Sequence, residues 1–305
     1  MRSTSLKYKE TKYVCITKIE EGIGNRIKSL VSFLRYYSNP QEIDFIWPHH
    51  GWVDRKFFDL FLFNTDVKIN EYNVEQKYKK TDIKKFFTWR LYIDENDVDA
   101  NTIYNEDPFD KNTNKVDFLY NKTPQKVIDI YKPYFSNLRP TETVSKIMET
   151  INITPDMVAV QIRDNKDWSF WGRGEYLQKF IDEMKKYPKE TKFFLSAMNK
   201  NISDIVKKHF SNQIIEIPNK DYLSMYHAVA DLFLLSIPMQ ALCSCGSTFY
   251  EVAWWLNGCK ANVKVIGNYD NWAEQKKDFI SLFIVIRRKI RSIFLKVKQF
   301  FNIEE

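Results

Sequence analysis

The feature that most limits what this chain can fold into is an alternation in its second half. Five short apolar runs lie between Met157 and Ile266: Met157–Ile162, Phe193–Ser196, Ile214–Ile217, Gln240–Cys245 and Val263–Ile266. Segments of helical spacing separate them, at Glu175–Lys186, Ser203–His209, Tyr222–Ser236 and Thr248–Leu256. Runs that are continuously apolar belong to strands covered on both faces, and a helix between successive strands makes parallel pairing the natural solution. A doubly wound α/β sheet is therefore expected here.

The N-terminal region begins the same pattern. Tyr13–Thr17 reads as a buried strand, Glu20–Gly24 as a loop, and Asn25–Tyr37 as a helix with apolar positions Ile27, Leu30, Val31 and Leu34. Asp44–Trp47 is the next strand, ended by Pro48. From residue 63 to 122 the chain is rich in Asn, Asp, Lys and Tyr with weak periodicity, and reads as irregular excursions with a few short strands. Thr123–Phe135 and Glu142–Ile151 read as helices separated by Arg139-Pro140. The expectation is two Rossmann-like α/β domains, 1–139 and 140–275, facing a cleft, and a tail from 276 to 305. Ligands of such sheets sit beyond the carboxyl ends of the strands.

At 305 residues, 44% hydrophobic and 28% charged, the chain has material for a sizeable core and fits neither a disordered protein nor a membrane channel. No apolar run reaches the ~20 residues of a spanning helix, and Met1–Lys12 lacks the apolar core of a signal peptide. Cys15, Cys243, Cys245 and Cys259 show no zinc-type spacing, so buried reduced thiols and a cytoplasmic setting are expected. His49-His50 has no other His or Cys nearby and reads as a surface or acceptor-site pair, not a metal site.

Three loops at predicted strand ends carry residues suited to chemistry. Glu20-Glu21-Gly22-Ile23-Gly24-Asn25-Arg26 offers close backbone approach and the free N–H groups of a helix start, but lacks the rest of a dinucleotide fingerprint or a P-loop. Gln161-Ile162-Arg163-Asp164-Asn165-Lys166-Asp167-Trp168 places a permanent cation at a strand end, where it suits a phosphate or pairs within the loop. Gly246-Ser247-Thr248-Phe249-Tyr250-Glu251 brings two hydroxyls to a helix N-terminus, and serves equally as an ordinary N-cap.

Taken in order, these segments resemble the GDP-fucose-dependent fucosyltransferases. Gly22-x-Gly24-Asn25-Arg26 with Leu30–Leu34 is similar to their first motif, and Trp47-Pro48 with Phe57–Phe61 to the tryptophan region that follows. Val158–Arg163 resembles their strand ending in His-x-Arg, and Asp231–Ser236 leading into Ser247-Thr248-Phe249 and Ala253 resembles their last nucleotide-binding motif. The nearest likeness is to bacterial nodulation-factor and other α-1,6-fucosyltransferases, with the protein O-fucosyltransferases more distant; the middle of the chain is unmatched.

The resemblance implies a GT-B fold, an inverting mechanism and a GDP-sugar donor, with no cofactor and no obligatory metal. It puts Arg163 on the donor pyrophosphate, Ser247, Thr248 and Phe249 along the phosphates, and Asp231 on the guanine N–H edge. Gly22, Gly24 and Asn25 would approach the donor sugar and its phosphate, with Arg26 and Gln161 also on the donor side. Gln161 stands where the family has His, and Gln cannot carry a proton.

Asp167 is the first choice of general base; Glu20, Glu21 and Glu175 are the alternatives. Trp168 and Trp171 stack on an acceptor sugar or pack between domains, and Glu175 stands with them on the acceptor side. The expected activity is transfer of fucose or a related deoxy sugar to a glycan, in bacterial surface polysaccharide or lipopolysaccharide synthesis. The alternatives are another GDP-sugar such as a GDP-heptose, or a non-catalytic sugar- or nucleotide-binding protein.

The net charge is +7, and residues 279–305 supply +4 of it. With so little left for a folded groove, nucleic acid is an unsuitable partner. In the tail Phe283, Ile286, Ile290, Ile293, Phe294, Val297 and Phe301 recur at helical spacing, while Arg287, Arg288, Arg291 and Lys298 fall away from them. A basic amphipathic helix of this kind suits an anionic membrane surface, and so a peripheral enzyme with a lipid-linked acceptor on the cytoplasmic face; packing on the enzyme body is the other reading.

Overall fold

The structure, a computed structural model, describes residues 13–19, 21–49, 53–74, 83–86, 91–92, 115–116, 120–163 and 173–267. The expected tail helix, Glu20, His50 and the Asp164–Trp171 loop lie outside the described residues. By internal contacts the chain divides into Met1–Ile266 and Gly267–Glu305.

Two parallel sheets organise the first unit. In chain order its first half holds β1 (Tyr13–Ile16), α1 (Ile23–Tyr36), β2 (Glu42–Ile46), α2 (Phe57–Leu60), β3 (Phe61–Phe63), β4 (Lys68–Tyr72), β5 (Ile83–Phe86), β6 (Leu91–Tyr92) and β7 (Lys115–Val116). A 3-10 turn at Tyr120–Lys122 leads into α3 (Gln125–Ser136), β8 (Leu138–Pro140) and α4 (Glu142–Met148). The second half holds β9 (Val158–Ile162), α5 (Arg173–Met184), β10 (Phe193–Ala197), α6 (Lys200–Phe210), β11 (Ile214–Ile215), α7 (Met225–Leu234), β12 (Gln240–Ser244), α8 (Thr248–Leu256) and β13 (Asn262–Ile266).

The second sheet runs β11-β10-β9-β12-β13, every pairing parallel. All residues of β9 and β10 are buried, as continuous apolar runs require. Strand alternation divides them between two cores. Val158, Val160, Ile162, Phe193, Leu195 and Leu242 pack with Phe180, Ile181 and Met184 of α5 and Val206 and Phe210 of α6. Ala159, Phe194, Ala241 and Cys243 face the other way, into a core shared with α1, α3, α7 and α8. α8 is buried nearly all round, including Tyr250, Trp254 and Trp255, the last stacked on Phe135 at 5.2 Å.

The first sheet runs β4-β2-β1-β5, again parallel throughout. Cys15, Ile43 and Phe45 join the shared core, whereas Val14, Ile16 and Ile46 lie on the opposite face. Two of its strands, β4 and β5, come from the stretch read as irregular excursions with a few short strands, though their place in this sheet was not read. β4 is an edge strand whose polar residues are used: Asn70 donates to Glu42 (2.7 Å) and Asp44 (3.1 Å). Arg139-Pro140, read as a break, belongs to β8, which pairs antiparallel with β3. A proline fits there because the pair has only two strands.

Candidate functional site

In both sheets the strand order reverses beside the first strand. β9 has β10 on one side and β12 on the other; β1 has β2 and β5. The loops after β9, β12 and β1 therefore leave from topological switch points, where α/β sheets bind ligands. These are the three loops the sequence singled out, and the structure brings them together.

The loop after β9 is tied to the loop after β12. Ser244 Oγ accepts from the Arg163 N–H (2.9 Å) and donates to the Gln161 carbonyl (3.2 Å). Arg163 Nη1 donates to the Gly246 carbonyl (3.2 Å), which aims the half-buried guanidinium at the start of α8. Gly246 has φ 66°, a left-handed conformation that costs glycine nothing, and it makes the sharp exit from β12.

Ser247 then caps α8, its Oγ accepting from the Tyr250 N–H (3.3 Å), and the Glu251 N–H reaches the Ser247 carbonyl (3.0 Å). Among the described residues the N–H groups of Thr248 and Phe249 have no partner. Two amides, a hydroxyl at Thr248 and an arginine thus surround one helix N-terminus. Helix N-termini of this kind suit an anion.

The third loop closes on the same point. A Cβ on Gly24 would lie 2.6 Å from the carbonyl carbon and oxygen of Thr248 and 2.8 Å from the Phe249 nitrogen. Glycine at 24 is thus what lets the first turn of α1 rest on the first turn of α8. The N–H groups of Ile23, Gly24 and Asn25 also lack partners among the described residues, so two open helix N-termini meet. Gly22, the N-cap of α1, is extended at φ −72°, and a Cβ there would meet nothing within 4 Å. Asn25 is half-buried beside it.

Arg26 differs from the expectation of a donor contact. It is fully buried, with Nε donating to the Glu21 carbonyl (2.8 Å), Nη2 to that of Ile19 (3.2 Å) and Nη1 to that of Pro48. Its guanidinium also lies 5.0 Å from the centre of the Trp47 ring. Arg26 is spent on bracing the β1–α1 loop against the end of β2. A cation committed to three carbonyls is not available to a ligand.

Asp231 and Gln161 lie at the same end of the second sheet. Gln161 is opposite Ser196 in the β9–β10 register, and Ser196 Oγ donates to Asp231 Oδ2 (2.7 Å). Lys220 Nζ reaches the same oxygen at 2.5 Å, whereas Asp231 Oδ1 and Gln161 Oε1 are buried without a hydrogen bond. Burial pushes the Asp231 carboxyl above its ordinary range, and Lys220 and Ser196 offset this in part. Lys220 also lies 3.7 Å from Glu216, which accepts from Lys207 (2.5 Å), Tyr222 (2.7 Å) and Ser203 (2.9 Å). Burial would raise Glu216 too, but these partners outweigh it and hold the carboxyl below the usual value.

One buried pair went unread in the sequence: Lys28 of α1 and Glu251 of α8 meet at 2.5 Å, with side chains 0% and 4% exposed. Spacing alone offered no signal, since Lys28 falls among polar positions of α1 and its partner is 223 residues away. Cys243 is buried with its thiol pushed up to about 12 by desolvation, and Cys15 is raised likewise, so these two thiols are structural. His49 donates its backbone N–H to Asn73 (2.9 Å). Among the described residues no three His, Cys, Asp or Glu side chains group as a metal site, and no helix is long and apolar enough to cross a membrane. Asp167, Trp168 and Trp171 lie outside the described residues; Glu175 lies on α5, its side chain outside them.

The class these features define is an α/β protein with two parallel sheets whose switch-point loops meet at their strand ends, similar to the GT-B architecture. No protein-family profile and no curated protein sequence matches the chain. Solved structures do. The chain is similar to NodZ α-1,6-fucosyltransferase soaked with GDP-fucose, at TM-score 0.51 and 15% identity, over 81% of this chain and 93% of that one. It matches the same enzyme co-crystallised with GDP at TM-score 0.51 and 14% identity, over 80% and 92% of the two chains. The fucosyltransferase NodZ from Bradyrhizobium gives 0.50 and 15% over the same shares. The fold is that of these fucosyltransferases.

Proposed function

We propose that the chain is an inverting glycosyltransferase that moves fucose, or a closely related deoxy sugar, from a GDP-sugar to a glycan. The observation that carries the reading is the meeting of three loops, which brings Arg163, the open amides of Thr248 and Phe249, and Gly24 together. Breaking the sugar–diphosphate bond leaves negative charge on the departing pyrophosphate, and preorganised donors stabilise it most where water is excluded. Arg163 and the α8 N-terminus would take that charge. Gly22, Gly24 and Asn25 would approach the donor sugar from α1, and Asp231 Oδ1 and Gln161 would read the base.

A base must take the proton of the acceptor hydroxyl. Asp167 is proposed for this, with Glu20, Glu21 and Glu175 as alternatives. Glu21 sits in the β1–α1 loop, where its Oε2 accepts from the Lys18 N–H at 3.2 Å. The two halves, divided near residue 140, would act as acceptor and donor lobes, with Trp168 and Trp171 on the acceptor side. The reading needs no cofactor or metal, because the arginine and helix amides supply the positive charge. A lipid-linked glycan at the cytoplasmic face of a membrane, approached through residues 279–301, completes the proposal.

The test is calorimetry of the full chain with GDP, UDP, ADP and CMP, followed by turnover assays with GDP-fucose and other GDP-sugars in EDTA. The reading expects GDP to bind much more tightly than UDP, and GDP-fucose to be turned over without metal. Equal binding of UDP and GDP would overturn it. Tight GDP binding without turnover of any GDP-sugar would leave a nucleotide-binding protein.

A further inference from the structure

The Lys28–Glu251 pair takes no part in the assignment above, yet it lies directly beneath it. Glu251 belongs to the first turn of α8, three residues after Thr248. A carboxylate in that position stabilises its own helix by complementing the macrodipole. For the same reason it competes with an anionic ligand for the positive end. Glu251 is almost wholly buried, so solvent does little to screen it. Lys28 lies in the second turn of α1, four residues after Gly24, and is also fully buried. Its ammonium lies 2.5 Å from Glu251 Oε2, across the junction where Gly24 rests on Thr248.

We infer that Lys28 is a positioning residue for the diphosphate: it cancels the Glu251 charge under the joined N-termini of α1 and α8, so that their amides stay able to accept an anion. The inference rests on the diphosphate reading of that site. It differs from a simple structural clasp in one respect. A clasp loses the same thing whichever partner is removed, whereas an electrostatic balance responds in opposite directions. Removing the cation leaves a buried negative charge about one helical turn from the ligand. Removing the anion leaves a positive one.

The experiment is calorimetry of GDP and of guanosine binding to the full chain, its variants Lys28→Met and Glu251→Gln, and the double variant Lys28→Met/Glu251→Gln. Lys28→Met should weaken GDP about tenfold, the scale of one unit charge at that distance in a partly desolvated site. Glu251→Gln should tighten GDP several-fold, and the double variant should return to within about threefold of the parent. Guanosine, which carries no phosphate, should bind all four alike.

Both single variants are expected to melt lower, because each removes one partner of a buried ion pair. If Lys28→Met does not fold, the ratio between Glu251→Gln and the double variant carries the same test. Weaker GDP binding in both single variants, or guanosine changing in step with GDP, overturns the inference. Absence of GDP binding by the parent overturns the diphosphate reading and this inference with it. Binding by the parent with same-sign changes removes the inference alone.

Discussion

The two halves of the molecule use one device, a strand–loop–helix turn at a switch point, for different ends. In the second half the turn after β12 is bare of bulky side chains, and the guanidinium of Arg163 from the neighbouring loop donates to its Gly246 carbonyl. The first half also has an arginine at its turn, but Arg26 is turned inward and held by three carbonyls under Trp47. In the proposed site one loop would contribute charge and the other only backbone. The difference teaches that the side chain's surroundings, not its residue type or place in a motif, decide whether it is committed to the fold.

The comparison breaks most visibly if the two arginines are exchanged in role. Arg163→Ala should lower transfer at least about 100-fold and weaken GDP by about 1.5–3 kcal/mol with an unchanged melting temperature. Arg26→Ala should instead destabilise the fold by at least about 3 kcal/mol, read by urea unfolding, because buried carbonyls are left without donors. A loss of stability in the first variant, or of GDP affinity at full stability in the second, would reverse the assignment.

The two glycines of the first loop sharpen the contrast. Gly24→Ala forces a methyl against the Thr248 backbone and should cost about 1–3 kcal/mol, together with GDP affinity. Gly22→Ala meets open space and should stay within about 1 kcal/mol in stability. Smaller still, Ser247→Ala removes the α8 cap for about 1 kcal/mol of unfolding free energy.

The last effect is on slope rather than level. Glu216 is held below its ordinary 4.5, so its stabilisation is present above that pH and fades as pH falls through the folded value. Asp231 is raised above 3.8, so its share is present below that pH and is lost as pH rises through the folded value. Melting curves across pH 3–7 should therefore flatten on the acid side in Glu216→Gln. Asp231→Asn should remove an opposing decline. Identical pH profiles in parent and variants would remove both groups from the acid response.

Much of the second half was legible because its strands are mostly apolar: Val158–Ile162 and Phe193–Ala197 each carry one polar residue, Gln161 and Ser196, and both are buried. The first half hid its edge strand because Lys68, Asn70 and Glu71 look like loop residues. Their value appears only in three dimensions, where Glu71 accepts from the Phe57 and Phe58 N–H groups at 2.6 and 3.2 Å. The three loops could be picked out singly from glycine, arginine and hydroxyl content, but not their meeting, which depends on α1 packing against α8 across more than 200 residues of chain. Close backbone approach was expected of Gly24; that the backbone approached is the first turn of α8 could not be read from the sequence. Lys28 had the pattern of a surface lysine and lies in the core.

The central claim, that the joined N-termini of α1 and α8 with Arg163 form one diphosphate site, is tested most directly by a crystal structure of the GDP complex. The account predicts β-phosphate oxygens within about 3.2 Å of the Thr248 and Phe249 nitrogens and of the Arg163 guanidinium, the hydrogen-bond range for such donors. GDP bound elsewhere, with those two amides still open, would contradict it.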